Sequence, residues 1–417
     1  MVKKTNKNSI YAALDIGSSK IACAVGKINN ENKMEILGFH FQPTKNVKKG
    51  LVINPNEITN EIISIINHIS KKTNTEISNI IINANITNSK SKFLKGKVEL
   101  NGEQIDDYHI RSAINNTEIY NISDDYKSLH EIINHFDTDI DKKILNPKNL
   151  YAKTLVVNIY QLIINNNYYK STKNIIFNSN LNIEHLIASP FASSLSTLTE
   201  DEKLLGTICI DLGAGTTSVS IIENNKLIFA DSISVGGNNI TNDIVSGINT
   251  PMESAERLKT LYGSVFSNPS DEYELIDVPL LGSNNNQFKQ INRSELNLLI
   301  KPRVEETLEL IRQKLKEYNL HNKRYRRVVL TGGGSLLEGI DEYAKIIFDS
   351  QVRVSVPINI EIQNEKIKKP QFSVIFGLLL YIETMSQQND DFLLQNKEKI
   401  QKKPLFGGFF SWLDQYI

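Results

Sequence analysis

The chain carries one hairpin signature twice. Residues 11–28 read YAALDIGSSKIACAVGKI, and residues 207–222 read TICIDLGAGTTSVSII. Each stretch is an apolar strand, an Asp, an apolar residue, a Gly, small and hydroxyl-bearing residues, then a second strand. Asp15 and Asp211 hold the same place. Each copy continues into a third strand-like piece, KMEILGFHF (33–41) and KLIFADSISV (226–235). An internal duplication constrains the fold strongly, because both halves must build the same supersecondary unit.

The local chemistry of each copy points to a phosphate. A buried strand holds the Asp at its tip. Gly17 and Gly213 allow a tight turn with no Cβ in the way. The exposed N–H groups of such a turn make an anion-binding concavity. Ser18, Ser19, Lys20, Gly215, Thr216 and Thr217 complete the two turns, and the hydroxyls add donors. Two facing turns would clamp a polyphosphate from both sides. Asp15 and Asp211 would repel phosphate directly, so they are expected to serve Mg²⁺ through its waters. A third cluster, RVVLTGGGSLLEGI (327–340), places Gly332, Gly333 and Gly334 after a short apolar strand. Glycines there let a flat group lie against backbone, and Ser335 is expected to cap a helix.

Bulk properties remove other classes. The 417 residues suffice for two or more domains. Lys and Arg total 47 against 47 Asp and Glu, so no basic excess announces a nucleic-acid partner. Cys23 and Cys209 are far apart, each inside an apolar run, and read as buried core thiols. No zinc-type spacing, signal-peptide pattern or run of 18 apolar residues occurs.

Phosphate turn, second phosphate turn and glycine cluster, in that order, resemble the actin, Hsp70 and sugar-kinase ATPase superfamily. Within it the chain resembles FtsA, the actin-like family of the bacterial division ring. The likeness is carried by SPFASSLSTLTEDEKLLGTICIDLGAGTTSVSII (189–222), SISVGGNNITNDI (232–244), TPMESAERLKTLYG (250–263) and FSVIFGLLLYIE (372–383). It runs from about residue 10 to 383, is weakest at 85–150 and 264–292, and resumes at the extreme C-terminus.

The resemblance implies an α/β, actin-like (RNase H-like duplicated) fold with two lobes around a nucleotide cleft. The core of lobe 1 would be 1–84, 168–204 and 358–385, with a 1C subdomain inserted at 85–167. The core of lobe 2 would be 205–242 and 298–357, with subdomain 2B at 243–297. Within the insertion, 105–117 reads as a helix and 150–164 as strands. Residues 293–318 have a helical apolar period, with Pro302 expected to mark a break or a new first turn. ATP with Mg²⁺ is the implied cofactor. Gly236 and Gly237 would lie near the phosphates, and Glu256 and Lys259 would contact base and ribose. Implied partners are FtsZ, later division proteins through 1C, further copies of the chain in filaments, and an anionic membrane surface. The implied location is the cytoplasmic face of the membrane at the septum.

Two departures bear on chemistry. Ala214 replaces a usual Gly, and Ser218 a common Asp, in the second turn; a methyl at 214 requires negative φ. Ser189 stands where chaperone relatives carry a Glu that organises attacking water, and Ser is a poor substitute. At most a slow ATPase is expected, with no confident catalytic residue. Alternatives of the same fold are a PilM-like pilus-assembly protein and a small-molecule kinase. A kinase would need a general base and an acceptor domain that the sequence does not display.

The last residues, KKPLFGGFFSWLDQYI (402–417), follow a polar stretch at 386–403 that reads as a flexible linker. On a helical wheel Leu405, Phe406, Phe409, Phe410, Trp412, Leu413, Tyr416 and Ile417 fall within an arc of roughly 160°. Pro404 suits a helix start, and Lys397, Lys399, Lys402 and Lys403 can meet anionic headgroups. Residues 404–417 therefore read as an amphipathic membrane-targeting helix.

Overall fold

β1 (Ile10–Ile16), β2 (Lys20–Ile28) and β3 (Met34–Pro43) form an antiparallel meander. These elements come from a computed structural model that describes residues 9–392 except 120, 282–287, 321–324, 326 and 362–364. A two-residue-strand hairpin, β4 (Val47–Lys48) and β5 (Leu51–Val52), leads to helix α1 (Pro55–Thr73). Strands β6 (Asn79–Ala84) and β10 (Asn182–Ala188) then add in parallel, giving the order β10-β6-β1-β2-β3. Side chains alternate across the pleat. Ala12 and Leu14 pack with the Ile58, Ile62, Ile65 and Ile69 stripe of α1. Tyr11 and Ala13 pack on the other face against Ile375, Phe376 and Leu379 of α10 (Ser373–Phe392).

The second half repeats this plan. Helices α4 (Ser189–Thr197) and α5 (Glu200–Leu205) lead into β11 (Thr207–Leu212), β12 (Thr217–Glu223) and β13 (Lys226–Ile233). Strands β16 (Arg327–Thr331) and β17 (Gln351–Val354) add in parallel, giving β13-β12-β11-β16-β17. Three antiparallel strands followed by two parallel ones is the order in both sheets, so the sequence duplication is a duplication of topology. Between them run α6 (Gly237–Ile248), α7 (Met252–Tyr262), the hairpin β14 (Leu275–Pro279) and β15 (Phe288–Asn292), and α8 (Arg293–Glu317). Helix α9 (Ile340–Phe348) connects β16 to β17. Helices α4 and α10 pack against each other, and Gly377 lies so close to Ala192 that a Cβ would overlap its carbonyl.

A separate sheet is inserted between β6 and β10. It contains β7 (Lys90–Glu99), helix α2 (Asp107–Asn115), β8 (Tyr126–Thr138) and β9 (Thr154–Asn165), in the antiparallel order β7-β9-β8. Helix α3 (Asn166–Asn178) returns the chain to β10. Residues 154–165 make one long strand, rather than several within 150–164. Ile110 and Ile114 of α2 pack on Ile133, Phe136, Val157 and Ile159. Tyr160, Leu162 and Ile164 share a buried cluster with Leu227 and Ala230 of β13, so the insertion also rests on lobe 2.

Three local expectations are corrected. Helix α8 runs through Pro302 without a break. Pro302 and Leu298 are both exposed, so the carbonyl that loses its partner can turn to water. Ser335 lies in a 3-10 turn (Gly333–Leu336) and donates to Gly332 O at 2.8 Å, while α9 begins after Gly339. Helix α10 continues to Phe392, so 386–392 extend a helix instead of beginning the linker. The rest of that linker and the 404–417 segment lie outside the described residues. Among the described residues, no helix is long and apolar enough to cross a membrane.

Candidate functional site

The two phosphate-type turns have one geometry. Gly17 N–H donates to Lys20 O at 3.0 Å, and Gly213 N–H donates to Thr216 O at 3.0 Å. The registers agree as well, with Asp15 opposite Ala22 and Asp211 opposite Ser218. The turns also meet. A Cβ on Gly215 would fall 2.3 Å from Ser18 Oγ and 3.0 Å from Lys49 N. Ser18 Oγ itself accepts from Gly50 N–H at 2.9 Å, whereas Ser19 is exposed. Thr216 is half-buried. Thr217 is fully buried, and its Oγ1 has no hydrogen-bond partner among the described residues.

Asp15 and Asp211 are both buried at the strand tips. Burial pushes the Asp15 carboxyl up to about 6, with the Lys20 ammonium holding it partly down. Burial, then the nearby Asp15 charge, pushes Asp211 up to about 7. Burial lowers Lys20, opposed by both carboxylates. The three groups thus share one low-dielectric place in which negative charge is under-compensated. Such a place suits a further cation, and two carboxylates without a third donor suit one bound through water. Among the described residues no group of three or more His, Cys, Asp or Glu is clustered as a metal cage.

The glycine cluster closes on the same point. Gly332 has φ of +81°, and a Cβ there would lie 2.3 Å from Asp211 Oδ1 and 2.6 Å from Leu212 O. A Cβ on Gly334 would come 3.0 Å from Leu212, while at Gly333 the nearest atom is Gln371 Cβ at 3.7 Å. Gly333 therefore offers open backbone against which a flat group fits. Gly236 and Gly237 have a more specific place than proximity to phosphate. Gly237 N–H donates to Gly213 O at 2.9 Å and Asn238 N–H to Ala214 O at 2.8 Å, so the start of α6 supports the second turn. A Cβ on Gly236 would lie 2.7 Å from both carbonyls. Ala214 is not among the residues with positive φ, which makes its methyl tolerable.

Glu256 and Lys259 are brought together on α7, with Lys259 Nζ 2.6 Å from Glu256 Oε2. Lys259 also donates to Gly237 O at 3.1 Å and to Thr241 Oγ1 at 2.8 Å, and Thr241 donates to Glu256 at 2.6 Å. Thr241 had no sequence signal beyond its position in SVGGNNIT. Ser189 Oγ donates to Ala84 O at 3.0 Å, so its proton is committed to a carbonyl. Asn83, also unsignalled in the isoleucine run NIIINA, lies between Ser189 and the first turn. The amphipathic segment 404–417 falls outside the described residues.

The chain is similar to known proteins along most of its length. The family model "Cell division protein FtsA" matches residues 208–377, and "Type IV pilus assembly protein PilM" matches residues 13–265. Cell division protein FtsA of Agrobacterium fabrum is 29% identical over 388 residues, covering 90% of this chain and 88% of that protein. FtsA of Neisseria meningitidis is 27% identical over 369 residues, covering 88% and 89%. FtsA of Escherichia coli K12 is 26% identical over 388 residues, covering 91% and 92%. Among solved structures, the PilM–PilN type IV pilus biogenesis complex aligns with a TM-score of 0.63 at 15% identity, covering 89% and 98%. MreB5 of Spiroplasma citri bound to ADP aligns at 0.57 and 13%, covering 93% and 100%. Duplicated sheets and paired turns define a two-lobed, actin-like fold, which PilM and MreB5 share. Along about nine-tenths of its length the chain is similar to FtsA bacterial cell division proteins, at 26–29% identity.

Proposed function

We propose that this chain is an ATP-binding, actin-like protomer that polymerises on the cytoplasmic face of the cell membrane at the division septum. There it anchors FtsZ filaments and recruits later division proteins through the inserted sheet. The observation that carries the nucleotide part is the meeting of two matched turns over two buried carboxylates, with Gly332 against one of them. Mg²⁺ bound near Asp15 and Asp211 would supply the positive charge that this place lacks. Turn N–H groups and Ser18 would hold phosphate oxygens, Gly333 would face the adenosine, and Lys259 with Glu256 would fix its orientation. The ADP bound by the structurally similar MreB5 supports a nucleotide in this fold. The Ser189 hydroxyl is a very weak base and its proton is directed to Ala84 O, which supports slow turnover at most. Membrane attachment rests on the aromatic face of 404–417.

The test has two arms. Calorimetric titration with Mg·ATP should show binding that Asp211→Ala weakens at least tenfold, about 1.4 kcal/mol. Equal affinities would remove the nucleotide assignment. Co-sedimentation with anionic liposomes should require residues 404–417. The PilM match over residues 13–265 favours a pilus-assembly reading as the second choice. Liposome binding that persists without 404–417, together with no association with FtsZ filaments, would favour it.

A further inference from the structure

The parallel ladder that carries the first turn stops early. β1 and β6 pair at Ala13 with Ile81 and Leu14 with Ile82, and no further. In the repeated unit of lobe 2, β11 and β16 continue one step, to Asp211 with Thr331. Asn83 occupies in lobe 1 the place of Thr331 in lobe 2. Both residues reach the first Ser of the helix that comes after the last strand of their sheet: Thr331 Oγ1 is 2.5 Å from Ser373 Oγ of α10, and Asn83 Nδ2 is 3.3 Å from Ser189 Oγ of α4. Asn83 differs in what its remaining atoms do. Its Oδ1 accepts Ile16 N–H at 2.9 Å, and its Nδ2 faces Ile16 O at 3.4 Å. An N–H can only donate, so the atom facing Ile16 N is the carboxamide oxygen. The carboxamide thus behaves as a peptide group that extends the missing ladder. Asn83 is 8% exposed, so few waters can substitute for it.

We infer that Asn83 is the positioning residue of the first phosphate turn. It sits between the two residues whose geometry matters, since Ile16 links Asp15 to Gly17. By holding both backbone groups of Ile16 it sets the direction of the Asp15 carboxylate and of the Gly17 end of the turn. Ser189, whose proton goes to Ala84 O, anchors the carboxamide from behind. The inference rests on the nucleotide reading for its ligand, but its geometric part is independent of it.

The test measures ATP affinity, adenosine affinity by competition, and backbone amide exchange in wild type, Asn83→Ala and Asn83→Asp. Loss of the clamp should weaken Mg·ATP binding about tenfold, the scale of one well-placed hydrogen-bonding group. Adenosine affinity should stay unchanged, because only the phosphate turn is disturbed; a general structural defect would lower both. Asn83→Asp keeps the acceptor for Ile16 N–H, loses the donor and adds a charge beside Asp15, so it should weaken ATP at least as much. In wild type the Ile16 amide should exchange slowly, and in Asn83→Ala faster, with Gly213 unchanged. Wild-type ATP affinity in both variants, or equal loss for ATP and adenosine, would overturn the inference. If wild type binds no Mg·ATP, the nucleotide reading fails, and Ile16 exchange alone decides whether Asn83 is a clamp. Rapid Ile16 exchange in wild type refutes the clamp even if Asn83→Ala does not fold.

Discussion

The Tyr160 hydroxyl of the inserted sheet accepts the Ala230 N–H of lobe 2 at 2.9 Å, and Ser91 Oγ donates to Ala230 O at 3.1 Å. Ala230 lies on β13, the edge of its sheet, and these two side chains satisfy both of its backbone groups. Tyr160 is fully buried at this junction. Lys226 Nζ adds bonds to Ile133 O and Asn134 O at 3.0 and 3.2 Å. The insertion is covalently part of lobe 1 yet capped onto the edge strand of lobe 2, so it spans both.

Tyr160→Phe should leave the Ala230 N–H buried and unpaired. The expected cost is about 1–3 kcal/mol of folding stability. Urea denaturation measures it, and faster amide exchange at Ala230 locates it. Stability unchanged within error would show that this junction contributes little.

Gly332→Ala and Gly333→Ala should separate sharply. At 332 the residue needs a positive φ and a Cβ would strike Asp211 and Leu212, so a loss above about 2 kcal/mol is expected. At 333 there is room for a methyl, so folding should stay within about 1 kcal/mol of wild type. Thermal denaturation of the two variants compares them directly. If 333 faces adenosine, its variant should still lose ATP affinity while keeping its stability.

The raised carboxyl pKa values set a direction for pH. Asp15 titrates at about 6 and Asp211 at about 7 when folded, against about 4 in an unfolded chain. Between those values the folded protein binds more protons, so these groups stabilise it fully below pH 4 and that contribution is lost as pH rises through 6 to 7. Asp211→Asn should flatten this part of the stability profile without ligand. Mg·ATP binding near pH 6.5 should release protons, because a cation favours the ionised pair. Calorimetry in buffers of different ionisation enthalpy reads that release; a binding heat independent of buffer would contradict it.

Trp412→Glu places a charge in the apolar arc of residues 405–417. It should detach the protein from anionic liposomes while leaving Mg·ATP affinity intact. Loss of ATP binding in the same variant would mean that this segment packs on the body of the protein and does not serve as a membrane anchor.

What could be read in the sequence is what local backbone chemistry dictates. Asp15–Gly17 and Asp211–Gly213 announce tight turns because glycine and a strand-end acid have few other uses at that spacing. Repetition of the pattern gave the two lobes, and the period of apolar residues gave α8, although Pro302 on its solvent side did not break it. Ser335 misled, since a Ser after glycines suits either a cap or a 3-10 turn and only its neighbours choose. The remaining features join residues distant along the chain. Asn83 meets Ile16 at a separation of 67 residues, and Tyr160 meets Ala230 at 70. Neither pairing leaves a periodic trace, because a single side chain reaching a backbone group imposes no spacing on its own strand. Which edge the inserted sheet covers, and which side-chain amide meets the backbone of Ile16, were decided by packing in three dimensions.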